Sequence, residues 1–372
     1  MYQNFLITGT IGTGKTSSAM YPFTNQLIKY NFEHPDSKIP ILVLDVKGNY
    51  YSYVKKLVNE YNLFNDLIVI ELNSNIFYNP LHKPNLKPQV LANRLKTILN
   101  LFSENNSESY WIDKAEQIIT ECIKLCRLYN NNYVTFLEIH KLITMPNYYK
   151  EKIEHLRNLF ISSKFSSNQI YELNSSLNFF QKEFEQLDER TKNILISEIT
   201  RITGTFISDY DIMNTFCPPI EKLNFLGFQD SIKNGKIVVL NMNISEYSLL
   251  SKIIATYLKL DFQTEILSSL STNSQKTTAF ICDEYDKYCT KTDSDFFSMS
   301  REAKCINIVS TQSYSSLKNT LKDETAVKVI TQNLINKIWF RTDDIFTIEE
   351  AQKLLGKEEK SRTSRTISEN AK

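Results

Sequence analysis

Long apolar runs are missing from this sequence. No window reaches about 18 consecutive apolar residues, the length a membrane-crossing helix needs, so the chain is not expected to span a bilayer by itself. The start Met1-Tyr2-Gln3-Asn4 lacks the basic and apolar stretches of a signal peptide. Charge imbalance is missing too: 43 Lys and Arg against 42 Asp and Glu give a net charge of +1. No global field marks a nucleic-acid binder, and any contact with DNA has to be local. The four histidines, His34, His82, His140 and His155, form no cluster in sequence. The six cysteines are scattered, and only Cys122 and Cys126 lie one helical turn apart. With no second Cys or His pair at metal-site spacing beside them, buried thiols in a reducing, cytosolic compartment are expected rather than zinc ligands.

Glycine is scarce as well, with 8 in 372, and three of the eight fall within Gly9-Thr10-Ile11-Gly12-Thr13-Gly14-Lys15-Thr16. That stretch fits G-x-x-x-x-G-K-[ST], the phosphate-binding loop of P-loop NTPases. Phe5-Leu6-Ile7 before it reads as a buried strand, and Ser17-Ser18-Ala19-Met20 after it can continue as a helix, the context the motif requires. Glycines let successive backbone N–H groups turn inward on phosphates, and the helix N-terminus faces the same anion. The segment from Gly9 to Ser17 is therefore the expected nucleotide cradle. Within it Lys15 reaches the β- and γ-phosphates, and the Thr16 hydroxyl ligates Mg²⁺.

With 42% hydrophobic residues the chain can bury a sizeable core, and its length allows two domains or one sheet domain with a large insertion. Ile39–Asp45 and Asp66–Leu72 read as buried strands, with a helix over Tyr50–Tyr61 between them. Strands alternating with helices imply a mostly parallel sheet whose ligands sit at the strand C-termini. Asn79-Pro80-Leu81 ends that rhythm. From about Leu86 to Phe225 the pattern is helical, with Trp111, Ala115, Ile118, Ile119, Cys122 and Cys126 on one stripe. Further helices are expected near Phe136–Leu142, Glu151–Phe160 and Arg190–Phe206. Ser103–Ser109 and Ser162–Asn168 read as loops. The aromatics of this block follow helical stripes without interleaved Arg or Lys, so they are read as packing residues rather than a base-stacking platform. Strands return at Ile237–Asn241, Thr277–Glu284, Ile306–Gln312 and Ile335–Phe340. An amphipathic helix is expected over Leu249–Leu267 and a short last helix over Glu349–Leu355. The expected organisation is an α/β domain formed by 1–85 and 226–356, an all-α insertion at 86–225, and a polar mobile tail at 357–372.

Hydrolysis needs more than a phosphate cradle. Two strands end in an acid, at Asp45 and at Asp283. Asp283 is the better metal-side group because Glu284 follows it: Asp283 organises the Mg²⁺ shell and Glu284 polarises the attacking water as general base. A pair of acids that merely closes a strand is the plainer alternative. Gln312 ends the next strand, where a neutral amide can bond both γ-phosphate and water. Arg301, in the loop before that strand, can serve as an arginine finger on a neighbouring subunit; a solvated surface arginine is an equal alternative.

With these residues placed, the chain resembles the TraG/TraD-type coupling proteins of conjugation and type IV secretion, in the FtsK/HerA-like branch of RecA-fold ATPases. The matching islands run in order. They are Gly9–Thr16 with Tyr21-Pro22, Asp45-Val46-Lys47-Gly48 (the family has D-P-K-G), Asn79-Pro80-Leu81 and the Trp111 to Ala115 helix start. Asp283-Glu284, Ser300-Arg301 with Gln312-Ser313, and Asn333 to Asp344 before Gly356 complete the set. The resemblance implies a RecA-like P-loop NTPase with an inserted all-alpha domain that binds ATP and Mg²⁺. Asp283 and Glu284 are then the Walker B pair, Gln312 the sensor and Arg301 the trans finger. It further implies a homo-hexameric ring that moves DNA by its backbone and meets secretion-channel and relaxosome proteins at the cytoplasmic face of the inner membrane. Family members carry an N-terminal membrane region and a final segment, whereas here eight residues precede Gly9 and the chain ends at Lys372. Membrane contact is therefore expected through a partner or a missing N-terminal segment. A soluble HerA-like DNA-processing ATPase and a nucleotide-gated substrate adaptor are the alternatives.

Overall fold

The computed structural model describes residues 3–34, 37–45, 47–102, 109–145, 147–162, 166–272, 275–356 and 358. Val46, residues 103–108 and 163–165 of the loops expected at Ser103–Ser109 and Ser162–Asn168, and the tail expected at 357–372 apart from Glu358 lie outside the described residues; Ser109, Ser162, Ser167 and Asn168, expected in those loops, are helical. Seven short strands form one sheet: β1 (Asn4–Thr8), β2 (Ile41–Leu44), β3 (Leu67–Ile70), β4 (Ile237–Leu240), β5 (Thr278–Cys282), β6 (Cys305–Thr311) and β7 (Asn336–Trp339). Their order is β3-β4-β2-β5-β6-β1-β7, and every pairing is parallel. All seven C-terminal ends therefore share one edge, where ligands collect in open α/β sheets.

Successive strand residues point to opposite faces, and both faces are covered. Ile7, Ile41, Val43, Ile237, Val239 and Ile281 pack with α1 (Tyr21–Lys29) and α2 (Tyr50–Glu60). Leu6, Leu42, Leu44, Val238, Leu240 and Phe280 join the core of the long helical segment. A sheet covered on both faces explains why the strands read as continuous apolar runs rather than alternating ones.

The helical segment comprises α3 (Pro88–Phe102), α4 (Ser109–Tyr129), α5 (Phe136–Thr144), α6 (Tyr148–Ser162), α7 (Ser167–Asn178), α8 (Glu189–Thr203) and α9 (Tyr210–Phe216). On α4 the residues Ala115, Ile118, Ile119, Cys122 and Cys126 are buried, as their spacing predicts. The aromatics are packing residues: Phe136 and Phe206 stack at 4.0 Å between centroids, and such a pair adds about 0.5–1.5 kcal/mol beyond its buried area. Thr135 caps α5 and Asp188 caps α8 through side-chain bonds to the third helical N–H. The six cysteines are free, and five of them are buried. This segment is not packed apart from the sheet, because one continuous apolar core holds both.

Beyond α10 (Phe228–Lys233), the helix α11 runs from Ile244 to Thr272. An amphipathic helix with a solvent face was expected here, and the structure corrects this. From Ile253 to Gln263 every residue is buried, including Thr256, Lys259, Asp261 and Gln263. The reason is position: α11 touches β2 on the sheet side and α3 on the helical side, so it has no wet face over that stretch. Its buried charges are all paired, as burial demands. Asp261 meets Lys83 at 2.6 Å and Arg94 at 2.9 Å, which ties α11 to the helical segment. Gly227 sits against this cluster with φ +106°, and a Cβ there would lie 1.8 Å from Lys83 Nζ. On the other side Lys259 meets Asp293 at 2.6 Å, both fully buried. The chain closes with α12 (Asp293–Met299), α13 (Tyr314–Leu321), α14 (Glu324–Asn333) and α15 (Ile345–Leu355). Among the described residues no helix is long and apolar enough to cross a membrane.

Candidate functional site

The turn after β1 is held at the C-terminal edge by its neighbours. Gly9 N donates to Thr311 O at 3.3 Å, and Thr10 N donates to Arg341 O at 3.0 Å. Gly9 has no room for a side chain, since a Cβ would lie 2.6 Å from Phe340 Cβ. Gly14 has φ +91°, a conformation that favours glycine. From Thr16 the chain makes a wide π-type turn to Met20 and then enters α1. Such turns often occur at functional sites. The loop faces an open cleft of about 320 Å³ lined by Gly12–Ser17, Lys47, Asn49, Asp283 and Glu284, among others.

Two segments far apart in sequence meet in this cleft. Thr16 Oγ1 donates to Asp283 Oδ2 at 2.7 Å across 267 positions. Asp283 follows β5 directly, and its other oxygen accepts from Glu284 N at 3.0 Å and from the Ser310 hydroxyl. A hydroxyl and a carboxylate presented together are the hard oxygen donors that Mg²⁺ takes, so the residues present fit that ion. Lys15 is only 8% exposed and donates to Gly9 O at 2.5 Å and Thr10 O at 3.1 Å. Burial lowers its pKa, the nearby Asp283 opposes that shift, and the Lys47 charge adds to it.

Glu284 adopts a left-handed conformation, φ +50° and ψ +48°. For a residue other than glycine this costs of order 1–3 kcal/mol and persists where the surrounding contacts fix it. Its backbone N–H is held by Asp283 and also lies 3.2 Å from Ser310 Oγ. Its carboxylate pairs with Lys47 at 2.7 Å.

The structure separates the two strand-end acids. Asp45 is 1% exposed, and its oxygens accept the backbone N–H groups of Lys47, Asn49 and Tyr50, each at 3.0 Å. It shapes the turn into α2. Burial raises its pKa and the backbone donors hold it down. Asp283 is the acid that faces the P-loop.

Gln312 follows β6, which lies between β5 and β1, so it emerges between the acidic strand and the P-loop strand. Among the described residues its amide has no hydrogen-bond partner. Arg301 is exposed and sits before the N-terminal end of β6, the opposite edge of the sheet. The seven residues of β6 span about 20 Å, so Arg301 cannot reach the cleft of its own chain. Ser310 and Lys47 are the contributors that the motif reading left without a role. Ser310 had a faint signal, a polar residue closing the apolar run Ile306–Val309; Lys47 had one in the D-x-K-G island.

Residues 277–372 match a protein family described as the TraM recognition site of TraD and TraG. No curated protein sequence is significantly similar to the chain. Among solved structures, the plasmid coupling protein TrwB in complex with the non-hydrolysable GTP analogue GDPNP superposes with a TM-score of 0.62 at 13% identity, covering 95% of this chain and 74% of that one. TrwB in complex with ADP and Mg²⁺ gives 0.58 at 11% identity, covering 90% and 69%. VirB4 of Thermoanaerobacter pseudethanolicus gives 0.57 at 13% identity, covering 96% and 81%. At these identities the likeness is one of fold: the chain has the RecA-like P-loop NTPase fold.

Proposed function

We propose, for a chain that is similar to the TraG/TraD-type coupling proteins in sequence and in fold, that it is an ATP-driven motor that delivers DNA or nucleoprotein to a type IV secretion or conjugation channel. The observation that carries this reading is the contact between Thr16 and Asp283, which puts the phosphate loop and the metal-side acid in one cleft. The loop amides of Gly9–Ser17 and Lys15 would bind the phosphates, with Thr16 and Asp283 holding Mg²⁺ and its water shell. That ion would neutralise charge that develops on the transferred phosphate. Glu284 accepts the proton of the attacking water, and Gln312 orients that water from the neighbouring strand. Arg301, displayed at the far edge, acts on the cleft of the next subunit, which favours a ring assembly and a homo-hexamer by resemblance.

In this reading 1–85 and 226–356 form the motor domain, and 86–225 is an all-alpha insertion that contacts substrate or channel. The match to a TraM recognition site favours relaxosome-type partners for the C-terminal quarter. With a net charge near zero, DNA contacts in this reading are local, made by pore loops that track the backbone. ATP turnover by the assembled protein is expected to rise severalfold with DNA and to lose that stimulation between about 50 and 200 mM salt, as phosphate contacts are screened. A steady-state assay with and without DNA checks this; turnover indifferent to DNA at low salt would remove the motor reading.

A further inference from the structure

The cleft holds a second lysine for which the motif supplies no task. Lys47 stands three residues after β2, on a turn fixed by the Asp45 carboxylate. Its side chain is half exposed and lines the same cleft as Gly14, Lys15 and Thr16. The ammonium lies 2.7 Å from Glu284 Oε1. That hydrogen bond, with the surrounding carboxylates, raises its pKa, so it stays charged at neutral pH.

This pairing has a chemical consequence. A carboxylate oxygen already engaged by an ammonium at hydrogen-bond distance is not turned toward an attacking water. The Glu284 N–H is tied to Asp283 and Ser310, and its carboxylate is tied to Lys47. Freedom of the base therefore depends on where Lys47 points. Lys15 and Lys47 repel each other across the cleft, and a triphosphate would attract both. Its terminal phosphate is a stronger partner for Lys47 than one carboxylate, with more negative charge and three acceptor oxygens.

Resting on the nucleotide-cleft reading above, we propose that Lys47 is a further nucleotide-contacting residue: it exchanges the Glu284 carboxylate for the terminal phosphate, so the base is released only when a triphosphate is bound. Diphosphate offers no such partner and leaves the Lys47–Glu284 pair closed.

The test is a set of dissociation constants for ADPNP and for ADP, both with Mg²⁺, on the full chain. Four proteins are compared: wild type, Lys47→Met, Glu284→Gln and the double variant. Lys47→Met should weaken ADPNP about tenfold, the worth of one charge-assisted hydrogen bond, and leave ADP within about twofold. Glu284→Gln should tighten ADPNP about threefold or more by releasing Lys47, and this gain should vanish in the Lys47→Met background. Equal weakening of both nucleotides by Lys47→Met, or the same Glu284→Gln effect in both backgrounds, overturns the exchange. Wild type that binds neither nucleotide overturns the nucleotide-cleft reading itself, an outcome distinct from loss of the exchange alone.

Discussion

Glu284→Gln should lower ATP turnover by about 100-fold or more, the range for loss of a positioned general base, with nucleotide affinity retained or tightened. The amide keeps the size of the carboxylate but loses the charge that holds Lys47, so the cleft stays built while Lys47 is freed. What it loses is the capacity to take a proton from water. The backbone at this position is set by Asp283 and Ser310 rather than by the side chain's charge, so the fold should not change. Steady-state turnover beside a nucleotide titration separates the two effects. A variant that still turns over at half the wild-type rate would move the base elsewhere, with Asp283 the remaining carboxylate that lines the cleft.

Lys259→Met should lower the free energy of unfolding by about 3–5 kcal/mol, the cost of breaking a buried pair by removing one partner. Lys259 and Asp293 are both fully buried. The ammonium also donates to Tyr288 O at 2.7 Å and Thr290 Oγ1 at 3.0 Å. Asp293 accepts further from Gln263 at 3.0 Å, Tyr285 at 2.5 Å and Thr290 N at 2.9 Å. Methionine fills the volume but leaves the carboxylate without its counter-charge in a dry site. Changing both residues, Lys259→Met with Asp293→Leu, should cost less than the sum of the single changes, because neither charge is then stranded. Denaturant midpoints of the three variants measure this. A single-variant loss below about 1 kcal/mol would show that the pair adds little beyond its packing. The network joins α11 to the turn that follows Glu284, so local loosening there should accompany the loss of stability.

Much of the sheet and the phosphate loop was legible because their signals are local. A buried parallel strand is a short apolar run, and a phosphate loop is a fixed spacing of glycine, lysine and threonine. The strand order was not legible: nothing in Ile306–Gln312 says that β6 inserts between β1 and β5, yet this puts Ser310 against Asp283. The amphipathic reading of Leu249–Leu267 failed for a related reason. Polar residues at Thr256, Lys259, Asp261 and Gln263 imitate a wet face, but each lies inside a sandwich that sequence alone does not reveal. Asp45 and Asp283 look alike as strand-end acids. Only the turn geometry shows that the first is occupied by three backbone N–H groups. Lys47 went without a role for the same reason, since its partner lies 237 positions away (284 − 47).

The central claim is that the P-loop and the Asp283 strand end share one Mg²⁺-nucleotide. The most direct measurement is an experimental structure of the full chain with Mg²⁺ and ADPNP. The account predicts a cation about 2.1 Å from Thr16 Oγ1, with Asp283 in its coordination shell directly or through one water. Nucleotide bound elsewhere, or a cation held without either residue, would contradict it.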